Sequence, residues 1–406
     1  MNRFSPQSLF PALLVSTSLL LATPKTQAND DEWDDWQETP TSPWTYNGFV
    51  QGKVGHFLST QPQSTNLSAK DLTLRLESQY EGELVQAQFK ADSQYLLLKS
   101  NWQHQVRELA VSVDFSNIDN QLINDSALSN LSIKLGRQSL SWGLGEFIFL
   151  NDLFAKDWQS FFNGDDISYL KKPNDALKLS YYFGESSLDV VYQPQHSVDD
   201  LYQPISDLTS PSDSSIHARY YFSSGQTDYA FYASDGISNT PQFIAGQFEY
   251  QQLKSFGASM IKPLAGGLFK AEFSNYWLDN SLAQSSKQQR YLIGFEREIM
   301  PRLNLSLQAY LEQDDMGSTA SQTLDNRQLI TTSFNYRSSD DNWQSQLMFF
   351  HSPNHHDNYL RLSSSYRYSD QIILSGQINN LNGHSDTFFG QLKTIDNAAL
   401  RITFYF

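Results

Sequence analysis

The chain has 406 residues, a formal net charge of −16, 39% hydrophobic residues, 14% aromatic residues and no cysteine. The acidic balance argues against nucleic acid, whose binders are basic, and the missing cysteines exclude disulfides and thiolate chemistry. Beyond residue 28 no run approaches the roughly 20 apolar residues that a spanning helix needs.

Residues 1–28 read as a secretory signal, removed from the mature chain. Arg3 supplies the positive start, Leu9–Ala22 (LFPALLVSTSLLLA) the apolar stretch and Thr26-Gln27-Ala28 a small-x-small cleavage site. The alternative, an uncleaved anchor helix, is disfavoured by Pro11 and by the shortness of the stretch. Residues 29–44 form an acidic tail carrying Asp30, Asp31, Glu32, Asp34, Asp35 and Glu38 around Trp33 and Trp36. Dense charge and low hydrophobicity keep such a segment solvated. The sharper readings are a partner-binding peptide or a weak Ca2+-sequestering site.

From Thr45 onward the period is 2. Leu72, Leu74 and Leu76 oppose Thr73, Arg75 and Glu77; Leu131, Ile133 and Leu135 oppose Ser132 and Lys134. Leu177 and Leu179 oppose Lys178 and Ser180; Leu303, Leu305 and Leu307 oppose Asn304 and Ser306; Leu360 and Leu362 oppose Arg361 and Ser363. Aliphatic side chains take one face and charges the other. Tight turns fall at Glu81-Gly82, Gly184-Glu185, Ser224-Gly225, Ala265-Gly266-Gly267, Met300-Pro301, Ser339-Asp340-Asp341 and Ser369-Asp370. Longer links lie between them, at Ser59–Lys70, Ser141–Asp175, Gln193–Ser215, Leu278–Gln289, Gln313–Asn326, His351–Asn358 and Asn382–Asn397.

Short turns on one side, long loops on the other and strands apolar on alternate residues describe a transmembrane antiparallel β-barrel. The aromatic content suits its interfacial girdles. The barrel is predicted to occupy residues 45–406, without a second domain. Counting strands from both ends agrees at about 18 when Gln242–Lys262 is one long strand or a strand with an irregular extension; 16 is the alternative. On this reading the aliphatic face meets lipid of a Gram-negative outer membrane. The wet lumen is lined by Arg75, Glu77, Lys134, Lys178, Arg219, Arg361, Arg367 and Arg401. Rings of such charges set selectivity in pores; the plainer reading is paired, solvated wall charge.

The stretch Leu135–Asp166 becomes an unusually apolar loop. Folding it inward would bury its aromatic residues and narrow the pore, with Trp142, Asp152, Asp157, Trp158, Asp165 and Asp166 at the constriction. Packing on the rim or on a neighbouring subunit is the alternative. Arg137 shares parity with Leu131, Ile133 and Leu135, and faces lipid unless a bulge at Gly136 re-aims it or the strand has left the membrane.

Gly136-Arg137-Gln138, Ser141-Trp142-Gly143 and Asn151-Asp152-Leu153-Phe154 resemble the GRQ…WG…D motif of porin-like outer-membrane proteins, a group that includes alginate-export-type barrels and uncharacterised porin families. The motif spans about 20 residues of this chain. The resemblance implies passive passage of a solute or polymer without a cofactor. An alginate exporter would call for a lumen rich in Arg and Lys, whereas the balance here is mixed. The last strand, Leu400 to Phe406, resembles the C-terminal signature by which outer-membrane barrels are recognised for assembly. Phe404 and Phe406 are the candidate signal and the barrel assembly machinery the implied partner.

His351, His355, His356 and Asp357 lie together, but adjacent loop residues seldom complete a tetrahedral metal site, and no metal is expected. No GxSxG, HExxH, P-loop or GxGxxG is present, so the chain is not expected to be an enzyme. The expectation is a porin-like channel for passive passage of a small polar solute or polymer, with homo-oligomerisation open to it. The alternative is a non-conducting barrel that anchors or exports a surface component with periplasmic partners.

Overall fold

The computed structural model describes residues 42–59, 66–117, 127–202, 208–244, 246–282, 285–315 and 326–406. The expected signal segment and all but the last three residues of the acidic tail lie outside these. The barrel belongs to the compact unit Pro43–Phe406.

Twenty strands follow in order: β1 (Trp44–Phe57), β2 (Leu67–Glu81), β3 (Val85–Leu96), β4 (Asn101–Asp114), β5 (Leu131–Ser139), β6 (Pro173–Phe183), β7 (Ser186–Gln193), β8 (Ser215–Ser224), β9 (Thr227–Ile237), β10 (Gln242–Ile244), β11 (Gln247–Glu249), β12 (Gln252–Leu264), β13 (Gly267–Asp279), β14 (Ser285–Met300), β15 (Leu303–Asp315), β16 (Arg327–Arg337), β17 (Trp343–Ser352), β18 (Asp357–Arg367), β19 (Ile372–Asn382) and β20 (Asn397–Tyr405). Eighteen of them form one sheet, and β10–β11 make a separate small hairpin. Neighbouring strands pair antiparallel. Because β1 pairs with β20 as well as β2, the sheet closes on itself. The strand count is therefore 18. The ambiguous stretch 242–262 is β12 preceded by the β10–β11 hairpin, which is the irregular extension.

Side-chain exposure is inverted relative to a water-soluble sandwich. Leu72, Leu74 and Leu76 point outward, while Asp71, Thr73 and Arg75, which alternate with them, are buried. At the far end of the chain Leu400 is 71% exposed and Arg361 only 2%. Such a surface is stable only against hydrocarbon, where the cylinder leaves no backbone group of its wall unpaired. Aromatic rings gather beside the short turns. Trp44 lies 5.0 Å from Tyr80, Phe222 5.1 Å from Tyr229, and Trp343 5.7 Å from Tyr366. These aromatic residues mark one membrane boundary.

The alternation of link lengths has one correction. The link from β4 to β5 leaves through residues 115–117 and returns through 127–130 at the end where the other connections are tight turns. Conversely, β3 and β4 are joined at the opposite end by the short turn 97–100. Both departures sit in one hairpin, where the loop pattern is reversed.

Arg137 also finds its place. It stays on the outer face beside Leu135, and Gly136, at φ +123°, does not turn it inward. Its guanidinium instead forms a bidentate pair with Asp175 on β6, at 2.8 and 2.7 Å.

Candidate functional site

Residues 140–172, between β5 and β6, run into the lumen and reach the wall on widely separated strands. The first anchor is on β13. The Glu272 carboxylate accepts the backbone N–H of Leu144 at 2.8 Å, that of Asn151 at 3.0 Å and the Asn151 side-chain amide at 2.9 Å. The Tyr276 hydroxyl donates to the Leu150 carbonyl. Gly143 makes the turn at φ +80°, and a Cβ there would stand 2.9 Å from a Glu272 oxygen. The Asn151 side chain lies against the bare face of Gly257.

The second anchor holds the far end of the loop. Asn397 and Asn379 both donate to the Phe162 carbonyl, at 2.7 and 3.3 Å, and Arg401 donates to the Gly164 carbonyl at 2.7 Å. Lys53 pairs with Asp165 at 2.6 Å and with Asp71 at 3.3 Å. Arg361 stacks on the Phe161 ring at 4.5 Å. On the return arm Arg107 donates to the Lys171 carbonyl at 3.1 Å. The Tyr169 ring sits between Arg107 and Arg75, at 4.4 and 4.9 Å. Capped turns fold the loop between anchors: Asp157 and Asp166 accept the N–H groups of Ser160 and Ser168. Burial works against the Asp166 charge. The Ser168 hydrogen bonds, with Arg401 and Arg361 nearby, nonetheless hold its carboxyl below the ordinary range.

Apolar packing completes the docking. Leu150, Phe161 and Phe162 are buried against Tyr310, Met348, Tyr359 and Leu381 of the wall. Trp142 and Phe154 pack on Val191 and Tyr232 on the other side. A second loop, following β7, clasps the first from outside. The Asp199 carboxylate accepts the Lys156 N–H at 2.8 Å and the Trp158 indole N–H at 2.9 Å, while the Asp200 N–H donates to the Lys156 carbonyl at 2.8 Å. Burial pushes the Asp199 carboxyl up to about 6, against the two hydrogen bonds that favour its charge.

Of the charges expected in the lumen, Arg75 pairs with Asp92 at 2.6 Å, and Lys178 and Arg219 share Asp189 at 3.6 and 2.5 Å. Glu77 faces Lys90 at 3.6 Å, and Lys134 donates to Gln88 at 3.0 Å. Arg361 and Arg401 reach the loop, whereas Arg367 stands exposed on the same face near the short turns. Among the loop residues, Asp152 pairs with Lys156 at 2.9 Å and Asp157 caps a turn, so both serve the loop's own fold. Trp142 packs on the wall. Trp158 is held by Asp199, and Asp165 and Asp166 meet the wall cations. The alternation also marks residues left out of that set. Glu272 shares its face with Lys270 and Tyr276, opposite Phe269, Ala271 and Phe273. Asn379 alternates with Ile378. Among the described residues no group of three His, Cys, Asp or Glu could hold a metal.

No protein-family model and no curated protein matches this chain. Solved structures do match. OccAB1 of Acinetobacter baumannii aligns with TM-score 0.57 at 9% identity over 89% of this chain and 95% of its own. OccK2 (OpdF) of Pseudomonas aeruginosa, solved in complex with glucuronate, gives 0.55 at 9% identity over 89% and 97%. OccAB3 of Acinetobacter baumannii gives 0.54 at 9% identity over 89% and 99%. At that identity the likeness is one of fold. With the exposed apolar face and the polar lumen, the chain shares with them the fold of a closed transmembrane β-barrel, here of 18 strands.

Proposed function

We propose that the barrel is a channel for passive passage of a small polar solute, narrowed by the inward loop 140–172. The observation that carries this reading is the combination of a hydrogen-bonding, ion-paired wall with a loop fixed to that wall on β1, β4, β13, β18, β19 and β20. A loop held at so many points fixes the width and chemistry of any passage beside it, without need of a cofactor or a reaction. Arg75, Glu77, Lys178 and Arg219 act there as paired wall charge around the passage, while Arg361 and Arg401 hold the loop. Recognition of Phe404 and Phe406 by the assembly machinery belongs to the same reading, as does assembly into a homo-oligomer.

One observation favours a second reading, a barrel that does not conduct and serves partners instead. The apolar cluster around Leu150, Phe161 and Phe162 is buried and continuous with the wall. Planar-bilayer recording of the purified protein separates the two. Discrete conductance steps that grow when residues 144–166 are shortened support the channel; silent membranes with both forms support the second reading.

A further inference from the structure

Below the loop, towards the short turns, the lumen holds a cavity of about 590 Å³. Its wall differs from the rest of the lumen. On β1–β8 the lumen carries ion pairs, of Lys53 with Asp71, Arg75 with Asp92, and Lys178 and Arg219 with Asp189. On β15–β19 the cavity is lined instead by Asn304, Asn335, Gln346, Ser363, Ser365 and Ser375. They stand side by side. Asn304 pairs in register with Asn335, Asn335 with Gln346, Gln346 with Ser363, and Ser365 with Ser375. Arg302 and Arg337 stand at the rim, and Asp166 with Arg401 form the ceiling.

Much of this hydrogen-bonding capacity is unused. Gln346 donates to Asn335 at 2.8 Å and Asn335 to Ser333 at 3.2 Å. The side chains of Asn304, Ser363, Ser365 and Ser375 make no hydrogen bond within the described residues. Amides and hydroxyls together offer both donors and acceptors. That mixture matches vicinal hydroxyl groups, each of which donates and accepts. It gives little return to an ion, which must leave water for neutral partners. The charges at the margin, Arg302, Arg337 and Arg401 with Asp166, lie outside this neutral face, and the face itself offers an ion no partner of opposite charge. The volume lies within the range of small-ligand sites.

We propose that this amide–hydroxyl face is a binding site for a neutral polyhydroxylated solute, a mono- or disaccharide or a polyol of that size. The inference rests on the channel reading and narrows it to a substrate class.

The test uses the mature protein in liposomes, with glucose, maltose and glucuronate as probes in a swelling assay and small-ion conductance recorded in parallel. Glucose and maltose are expected to enter faster than glucuronate. Gln346→Leu, and separately Ser363→Val, are expected to slow sugar entry about threefold to tenfold, the loss of one or two neutral hydrogen bonds, while small-ion conductance holds. Glucuronate entering as fast as the sugars overturns this inference and leaves the channel standing, as does sugar entry unchanged in both variants. No swelling and no conductance overturns both.

Discussion

Asn151 gives two hydrogen bonds to one oxygen of Glu272, from its backbone N–H at 3.0 Å and its side-chain amide at 2.9 Å. A single wall carboxylate thereby fixes the loop's course across the lumen, since its other oxygen takes the Leu144 N–H. Glu272→Ala leaves three donors without their acceptor, each worth about 1–3 kcal/mol when buried. The expected outcome is a loosened loop and a larger, noisier single-channel conductance. Unchanged conductance in Glu272→Ala would show that this anchor does not set the passage.

The Asp199 latch carries a pH dependence with a definite sign. Its carboxyl titrates near 6, above the ordinary aspartate value near 4. The docked loop therefore binds the proton more tightly than the released loop, so this contribution to docking is full below about 4 and is lost as pH rises through about 6. His196 in the same loop opposes it, because burial holds its imidazole below the usual histidine range and docking gains as pH rises toward about 6.5. Hydrogen exchange of residues 140–172 between pH 4 and 8 reads both. In Asp199→Asn the loss of protection on raising the pH is expected to shrink without vanishing, because burial also raises the carboxyls of Asp157 and Glu146 in the docked loop. Identical pH profiles for the variant and the parent would remove Asp199 from the latch.

Paired asparagines hold the loop's far end. Asn379→Ala with Asn397→Ala strips both donors from the Phe162 carbonyl. Protease cleavage within 158–166 is expected to rise, whereas either single change should have a smaller effect because one donor remains. Equal resistance in the parent and the double variant would argue that apolar packing alone holds this end.

On the outer face, Arg137 and Asp175 report the height of the membrane. An unpaired Arg on the lipid side costs about 2–4 kcal/mol at mid-bilayer and about 0–1 near the interface. Arg137 stands close to the end of β5. Asp175→Asn is therefore expected to lower stability by less than about 1 kcal/mol in lipid-refolding titrations. A loss of several kcal/mol would place the pair within hydrocarbon.

How far the sequence reaches depends on the range of the information. Alternation is local, and it suffices to place Arg75, Lys178 and Arg361 inside and Leu72, Leu177 and Leu362 outside. Link lengths carried the strand count through the uncertain stretch after Thr240. The inward course of residues 140–172 follows from composition only as an alternative, because a loop rich in Phe and Trp can equally bury itself on a rim. Choosing between the two requires knowing that Glu272, Asn379 and Asn397 face the loop, from which they are more than 100 residues distant in the chain. The exchanged link lengths about β3 and β4 do not follow from the alternation, because a strand's face pattern says nothing of the length of the link that follows it.

The first strand and the last are neighbours, with Gly48 and Phe406 exchanging backbone hydrogen bonds at 3.0 and 3.1 Å. Until the final nine-residue strand arrives, β1 keeps one row of amides and carbonyls open. An open row invites a foreign strand, so an immature form needs a temporary mate for it. Biogenesis of this cylinder must end in one late zipping event, and a chain cut short by that strand would be left permanently sticky rather than merely smaller.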